Sequence, residues 1–473
     1  MVKFKDILHS GVSIGKVISV SDITCVVKGF RNLQIGAILL FESDSLGFVK
    51  SIKEDEALVL IIQRNNILPG EIVLLYKGKF EVPVGFNFLG RVVNVLGEPI
   101  DRMNVIKEDG FRNIFHDAYS VIQKDDIVKQ METGFIAIDN LIPIAFGQRE
   151  AILGDNKTGK TAFILDLVKN QKDKALVVYV IIGKKIDEVS SIISYLKEIN
   201  AMEYTVVVVA DATSLPVISY LAPYAGCSIA EYFWEKEKDV IVIYDDLVEH
   251  AKSYRELSLL SNTSPGRDSY PADIFAQHAH LLERAGRIQN NKGSLTALPV
   301  VSVYNNDLTG YIPTNIISIT DGQIFFDKDL FLKGQRPAIN TSISISRIGK
   351  RVQDKYIQDL SDDLNLALVK YTQSEKFSHF GTNLSNSVLE DIYMGEKIEN
   401  LFRQSIGQVF SLFEQRVLLT LLLYYDLPNL HTGDIEYIQK RVKEINYIEN
   451  FTKDNLDESL VRFLIPQNKD KNE

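Results

Sequence analysis

The chain has 473 residues, of which 45% are hydrophobic and 24% charged. That is enough to bury several cores in roughly two to four domains, and it excludes a disordered chain, a collagen and a small disulfide-stapled scaffold. There are 52 Lys and Arg against 62 Asp and Glu, giving a net charge of −10, the wrong sign for a general binder of nucleic acid or anionic lipid.

The first residues, Met1-Val-Lys-Phe-Lys-Asp-Ile-Leu8, carry charge but lack the apolar core of a secretory signal. From about 12 to 83 the chain predicts short strands at Gly15–Val20, Thr24–Val27, Ala37–Phe41, Leu58–Ile62 and Glu71–Tyr76. Turns such as Asn65-Asn66 and Pro69-Gly70 separate them, the pattern of a small sandwich or barrel. From about 84, apolar runs at Ala151–Leu153, Ala175–Ile182, Thr205–Ala210 and Val240–Tyr244 alternate with helical segments at Thr161–Asn170 and Val189–Ile199. This predicts a mostly parallel sheet covered on both faces. From about 356 the spacing predicts helices at Asp359–Thr372, Ser385–Met394, Glu396–Gln404, Glu414–Tyr424 and Asp434–Ile448. Three domains follow, at 1–83, 84–355 and 356–473, with a frayed polar tail from Pro466. The longest apolar stretch, Val417–Tyr425, is interrupted by Thr420 and falls far short of the ~20 residues that span a bilayer. Any membrane link is therefore expected through a partner.

Several side chains have plain expectations. Cys25 and Cys227 are too far apart for a metal motif and read as buried small hydrophobes of a reducing cytosol. His278 and His280 face different ways on a helix, which argues against a metal site. Trp234 reads as packing, and Lys440–Glu444 as a solvated helix face.

Gly154-Asp155-Asn156-Lys157-Thr158-Gly159-Lys160-Thr161 fits G-x-x-x-x-G-K-[ST] without a mismatch, between an expected strand and an expected helix. In such a loop the backbone N–H groups cradle phosphate oxygens, Lys160 neutralises β and γ charge, and Thr161 offers a hydroxyl to Mg²⁺. The dipole of the following helix adds to this. A neighbouring strand should end in a carboxylate that holds the metal through water. Val240-Ile-Val-Ile-Tyr-Asp245-Asp246 supplies one, with Asp245 on the metal side and Asp246 equally suited to capping a helix. Hydrolysis further needs a Glu or Gln to orient or deprotonate water. The strand Val177–Ile182 instead ends in Gly183-Lys184-Lys185. Protonated lysine is no base, so this site is expected to bind nucleotide and turn it over slowly or not at all. Lys184 and Lys185 would hold phosphate charge or simply be solvated.

From about Gly15 to about Gln415 the chain resembles the alpha subunits of F-type rotary ATP synthases. The resemblance rests on Val82-Pro-Val-Gly85, Leu89-Gly-Arg-Val-Val93, Gly147-Gln-Arg-Glu150, the phosphate loop, Tyr220-Leu-Ala-Pro-Tyr224, Tyr244-Asp-Asp-Leu247, Pro265-Gly-Arg267, Leu281-Leu-Glu-Arg-Ala285, Gly293-Ser-Leu-Thr-Ala-Leu-Pro299, Ser318-Ile-Thr-Asp-Gly-Gln-Ile324 and Pro337-Ala-Ile-Asn340. It implies an N-terminal β-barrel crown, a central RecA-like P-loop domain and a C-terminal helical domain. It implies an alternating ring of three alpha and three beta subunits around a gamma-like shaft, attached indirectly to the inner face of the cell membrane, with no nucleic-acid partner. Beta carries catalysis; alpha binds Mg-ATP (or ADP) without turnover. Where beta has the catalytic glutamate and alpha usually glutamine, this chain has Lys184.

Matched residue by residue, nucleotide contacts fall on Lys157, Gly159, Lys160, Thr161 and Ala162, and magnesium residues on Thr161 and Asp245. Arg336 and Pro337 match the base pocket. One of two glutamines near the adenine matches Gln404, while the other position holds Ile406. Arg347 matches the arginine that alpha inserts into the adjacent beta catalytic site, where it stabilises transition-state charge, and Ser318 matches a second residue approaching that site. The short segment before the barrel and the poorly matched C-terminal end point to a divergent alpha of a specialised F-type-like rotary ATPase, of the kind found in mycoplasmas. Two alternatives remain at this stage. One is a self-sufficient hexameric ATPase of flagellar or secretion type, which Lys184 argues against. The other is an RNA-translocating ring, which the net charge and the lack of an aromatic–basic stripe disfavour.

Overall fold

Six strands close a barrel near the N-terminus: Ile14–Val20, Thr24–Lys28, Ile38–Phe41, Leu46–Lys53, Glu56–Gln63 and Ile72–Lys77. All neighbours are antiparallel, and the sixth strand returns to pair with the first, Gly15 opposite Val73. Alternating residues, among them Val17, Val27, Leu39, Phe41, Val59 and Val73, fill the interior. Closure removes the exposed edges that a sandwich would leave. The computed structural model describes residues 3–7, 13–63, 65–261, 264–378, 385–425, 432–445, 451–456 and 458–465; the tail from Pro466 lies outside them.

The chain divides into two compact units, one of residues 1–126, 174–302 and 308–320, the other of 127–173, 303–307 and 321–473. The first unit holds the barrel and a parallel array of Val92–Asn94, Thr205–Ala210, Leu176–Ile182, Asp239–Asp245 and Ser294–Val303, in that spatial order. Nearly every residue of its central strands is buried, as expected of strands covered on both faces. Trp234 is fully buried on the Pro216–Glu235 helix and donates its indole N–H to the Gly293 carbonyl at 3.3 Å. Cys25 and Cys227 are buried free thiols.

In the second unit, Glu150–Asp155 runs parallel to Gly322–Phe326, which pairs antiparallel with Ile345–Ser346. Among the described residues, five α-helices follow: Lys355–Ser378, Asn386–Phe402, Leu412–Tyr424, Thr432–Glu444 and Glu458–Leu464. They share a core with Ile136 that includes Leu360, Leu364, Ile398, Leu401, Val417 and Leu421. Buried Asp139 ties this core together. It accepts the Thr133 and Gly134 N–H groups at 2.9 Å each and the Gln415 amide at 2.7 Å. Burial pushes its carboxyl up to about 6 against these donors.

The two helices expected at Ser385–Met394 and Glu396–Gln404 are one, Asn386–Phe402. Gly395, which reads as a break, lies inside it because a Cβ there would come within 2.0 Å of the Tyr371 ring. The strand Leu46–Lys53 was not expected. Among the described residues, no helix is long and apolar enough to cross a membrane.

Candidate functional site

In the second unit the buried strand Glu150–Asp155 delivers the chain into the glycine-rich loop, and a helix, Lys160–Lys169, leaves it. The turn needs its glycines. Gly159 sits at φ 99°, and a Cβ on Gly154 would lie 2.7 Å from the Phe326 carbonyl oxygen. Lys157 also has positive φ, 65°, and is exposed, as is Asn156. Thr158 is buried and donates its hydroxyl to the Asp155 carbonyl at 2.8 Å. Lys160 Nζ curls over the loop and donates to the carbonyls of Gly154 and Asp155 at 2.7 and 2.8 Å. No side chain caps the helix start and no acid stands in its first turn, so its positive end faces the loop uncompensated. Thr161 and Ala162 are half-buried there. The Asp155 carboxylate is committed to the loop's own support, accepting from Asn305 N–H at 3.1 Å and from Lys328 at 3.2 Å.

Residues 404–408 join the far end of that helix. Gly407 N–H donates to Asp166 at 2.9 Å, and Lys169 donates to the Gly407 carbonyl at 2.9 Å. Gln404 is only 4% exposed. Its amide accepts from Ile136 N–H at 2.8 Å and donates to the carbonyls of Gly134 at 2.9 Å and Gln408 at 3.0 Å. With these three bonds the Gln404 amide braces the loop, at the position that the sequence expectation sets near the adenine. Ile406 is 76% exposed. The Gln404 N–H reaches the Arg336 carbonyl at 2.8 Å, which brings Arg336 and Pro337 to the same loop. The Arg336 guanidinium lies 3.5 Å over the Phe331 ring.

The Arg347 segment has a firm base in the same unit. Gln148 is fully buried and donates to Glu150 at 2.6 Å and Ser346 at 2.9 Å. Ser346 donates to the Pro143 carbonyl at 2.6 Å, and Arg347 N–H donates to the Asp321 carbonyl at 3.0 Å. Burial, with Asp321 nearby, raises the Glu150 carboxyl well above its usual range, opposed by the Gln148 amide and the Arg347 charge. The Arg347 side chain is exposed.

In the first unit, Asp245 ends the strand Asp239–Asp245, buried from Val240 onward, and is itself 1% exposed. One carboxylate oxygen meets Lys184 Nζ at 3.0 Å, and the other accepts the Tyr179 hydroxyl at 2.8 Å. Burial pulls the Lys184 ammonium down, but Asp245, with Asp246 and Glu188 behind it, outweighs this and holds it above the ordinary lysine value. Lys184 is thus neither simply solvated nor available as a base. Asp246 caps the Leu247–Leu260 helix through Val248 N–H at 2.6 Å and also accepts from Ser302 N–H at 2.8 Å. Ser318, also in this unit, is exposed and donates to the Thr314 carbonyl at 2.8 Å. His278 bonds His250 at 3.2 Å and Asn315 at 3.1 Å. Among the described residues, no group of three or more potential ligands could hold a metal ion.

Residues 134–346 match the ATP synthase alpha/beta family, nucleotide-binding domain, and residues 353–460 match the ATP synthase alpha/beta chain, C terminal domain. ATP synthase subunit alpha of Caldanaerobacter subterraneus subsp. tengcongensis is 42% identical over 432 residues, 90% of this chain and 84% of the relative. Subunit alpha of Carsonella ruddii is 39% identical over 447 residues, 92% of each chain. Subunit alpha of Mesomycoplasma hyopneumoniae strain 7448 is 42% identical over 414 residues, 87% of this chain and 81% of the relative. The chain belongs to the ATP synthase alpha/beta family.

Within that family the likeness is to the alpha side. The alpha/beta family's nucleotide-binding domain carries the glycine-rich loop, so the chain is an ATP-binding member. In the first unit the Asp245 carboxylate is paired with the Lys184 ammonium. Sequence reasoning missed Tyr179. The signal was there: a lone hydroxyl in the aliphatic run Leu176–Ile182 must find a partner once buried.

Proposed function

We propose that this chain is the nucleotide-holding, non-catalytic alpha subunit of an F-type rotary ATPase head. The observation that carries the reading is Lys184, whose ammonium pairs with Asp245 where hydrolysis would require a group able to activate water. Gly154–Ala162 hold the phosphates of ATP or ADP, with Lys160 against the β and γ charge. Arg336 and Pro337 border the base, and Gln404 supports the loop beside them. Mg²⁺ is assigned to Thr161 and Asp245, where it would supply counter-charge for the phosphates. Arg347 serves the adjacent beta catalytic site, with Ser318 approaching the same site. The partners are beta subunits in an alternating ring and a gamma-like shaft. The head lies on the inner face of the cell membrane through other subunits. The domains are 1–83, 84–355 and 356–473.

Arg347→Ala, assembled with the beta partner, is expected to lower ATP turnover by ~10³-fold or more while assembly and ATP binding by this chain persist. Near wild-type turnover would overturn the arginine assignment. Steady hydrolysis by the chain without beta would favour the self-sufficient hexamer instead.

A further inference from the structure

Three neighbouring strands bring Glu150, Gly322 and Ser346 into one row. Glu150 lies opposite Gly322 in the parallel pair, and Gly322 lies opposite Ser346 in the antiparallel one. Gly322 leaves the middle of the row bare, and the Glu150 carboxyl group covers it: a Cβ there would lie 2.6 and 2.8 Å from its two oxygens. The side chain thus reaches toward the edge strand that leads into Arg347. One oxygen accepts from Gln148 at 2.6 Å, and the other finds no hydrogen-bond partner among the described residues. Two charged groups face this wholly buried carboxyl group: Asp321, itself held by Arg149 at 2.7 Å, and Arg347. Burial and Asp321 disfavour its ionised form, whereas Arg347 favours it.

We propose that Glu150 is a positioning residue for Arg347, its carboxyl group governing how far the guanidinium is drawn back toward its own strand and so how readily it is offered to a neighbouring subunit. The proposal rests on the reading that Arg347 serves the adjacent beta site. The two groups are linked, because attraction that Arg347 lends to ionised Glu150 is given up when the guanidinium turns to a phosphate. An unpaired charge left in this buried row would be costly. The carboxyl group therefore takes a proton from water as the guanidinium leaves and releases it on return. Ionised Glu150 competes with the phosphate for the guanidinium, and neutral Glu150 does not. A pure brace would behave otherwise, since the Gln148 amide nitrogen can bridge Glu150 and Ser346 in either protonation state.

ATP turnover of the head assembled with the beta partner, measured at saturating ATP from pH ~6 to ~9, tests this for wild-type, Glu150→Gln and Arg347→Ala chains. Glutamine keeps the shape but cannot ionise, so the ratio of Glu150→Gln to wild-type turnover is expected to rise about threefold or more across that range. In the Arg347→Ala background the same substitution leaves a flat ratio. A pH-independent ratio with Arg347 present marks a structural brace and overturns the proposal. Near wild-type turnover by Arg347→Ala would instead defeat the assignment of Arg347 on which the proposal stands. Should Glu150→Gln fail to assemble, the isolated full-length chain decides. Arg347 is exposed, and Arg347→Gln removes the charge that favours ionised Glu150. A carboxyl group raised further costs more stability as pH climbs, so the urea midpoint is expected to fall further from pH ~6 to ~9 in Arg347→Gln than in wild type. Equal falls overturn the proposal.

Discussion

His250 and His278 are both fully buried and share a hydrogen bond, with Asn315 completing the line. An Asn315 N–H facing His278 Nδ1 makes that nitrogen the acceptor and leaves Nε2 to donate to His250, so both rings are neutral. Burial lowers His250 to about 4 and takes His278 well below its ordinary 6.5. In the unfolded chain both regain the ordinary value, so between those limits the unfolded state binds more protons and stability rises with pH. Asp139 and Glu150, whose buried carboxyls are raised, act in the opposite sense over the same range, so the pair is read by difference: the fall in urea midpoint from pH ~7.5 to ~5 is expected to be smaller in His278→Gln than in the wild-type chain. Glu231 acts in a lower window. Burial raises its carboxyl, but Arg284 and His116 outweigh that and hold it at about 2. Its contribution is present above its ordinary 4.5 and is lost as pH falls toward 2. An unchanged pH dependence in His278→Gln would contradict the neutral histidine pair.

At the scale of elements, close backbone approach decides what the segments tolerate. A Cβ on Gly349 would lie 1.5 Å from the Pro143 carbonyl oxygen, so Gly349→Ala must move the turn that follows Arg347. The expected result is a loss of ~1–3 kcal/mol in denaturant stability and reduced turnover of the assembled head, with ATP binding by the chain unchanged. The same physics explains what the sequence left illegible. The buried parallel strands are readable because continuous apolar runs have no other use. Leu46–Lys53 was missed because Gly47 interrupts it, yet that glycine is needed where a Cβ would meet Val59 at 2.4 Å. Gly395 misled in the same way. At the site, the loop is legible from spacing alone, since each position has one chemical task. Gln404 and Lys184 were legible as positions but not as contacts. What a buried amide or ammonium bonds to depends on residues distant in the chain, Gly134 and Ile136 for one and Asp245 for the other.

For the whole molecule, the two units are interleaved in sequence, the chain passing between them at 126–127, 173–174, 302–303, 307–308 and 320–321. The strand feeding the phosphate loop takes as a parallel neighbour Gly322–Phe326, from the far side of an entire stretch of the first unit. Truncation after residue 320 is thus expected to abolish ATP binding, measured by equilibrium dialysis with radiolabelled ATP; retained affinity would mean that the loop needs no such neighbour. The bracket beneath Arg347 has a different consequence. Ser346 is fastened to Pro143, Gln148 and Glu150 stand behind it, and Arg347 N–H is fixed to Asp321. The guanidinium is therefore carried on backbone that has already given up its conformational freedom during folding. In the proposed head, docking this arm against a neighbour loses little further entropy, and subunits that come apart and reassociate would present the same arm each time.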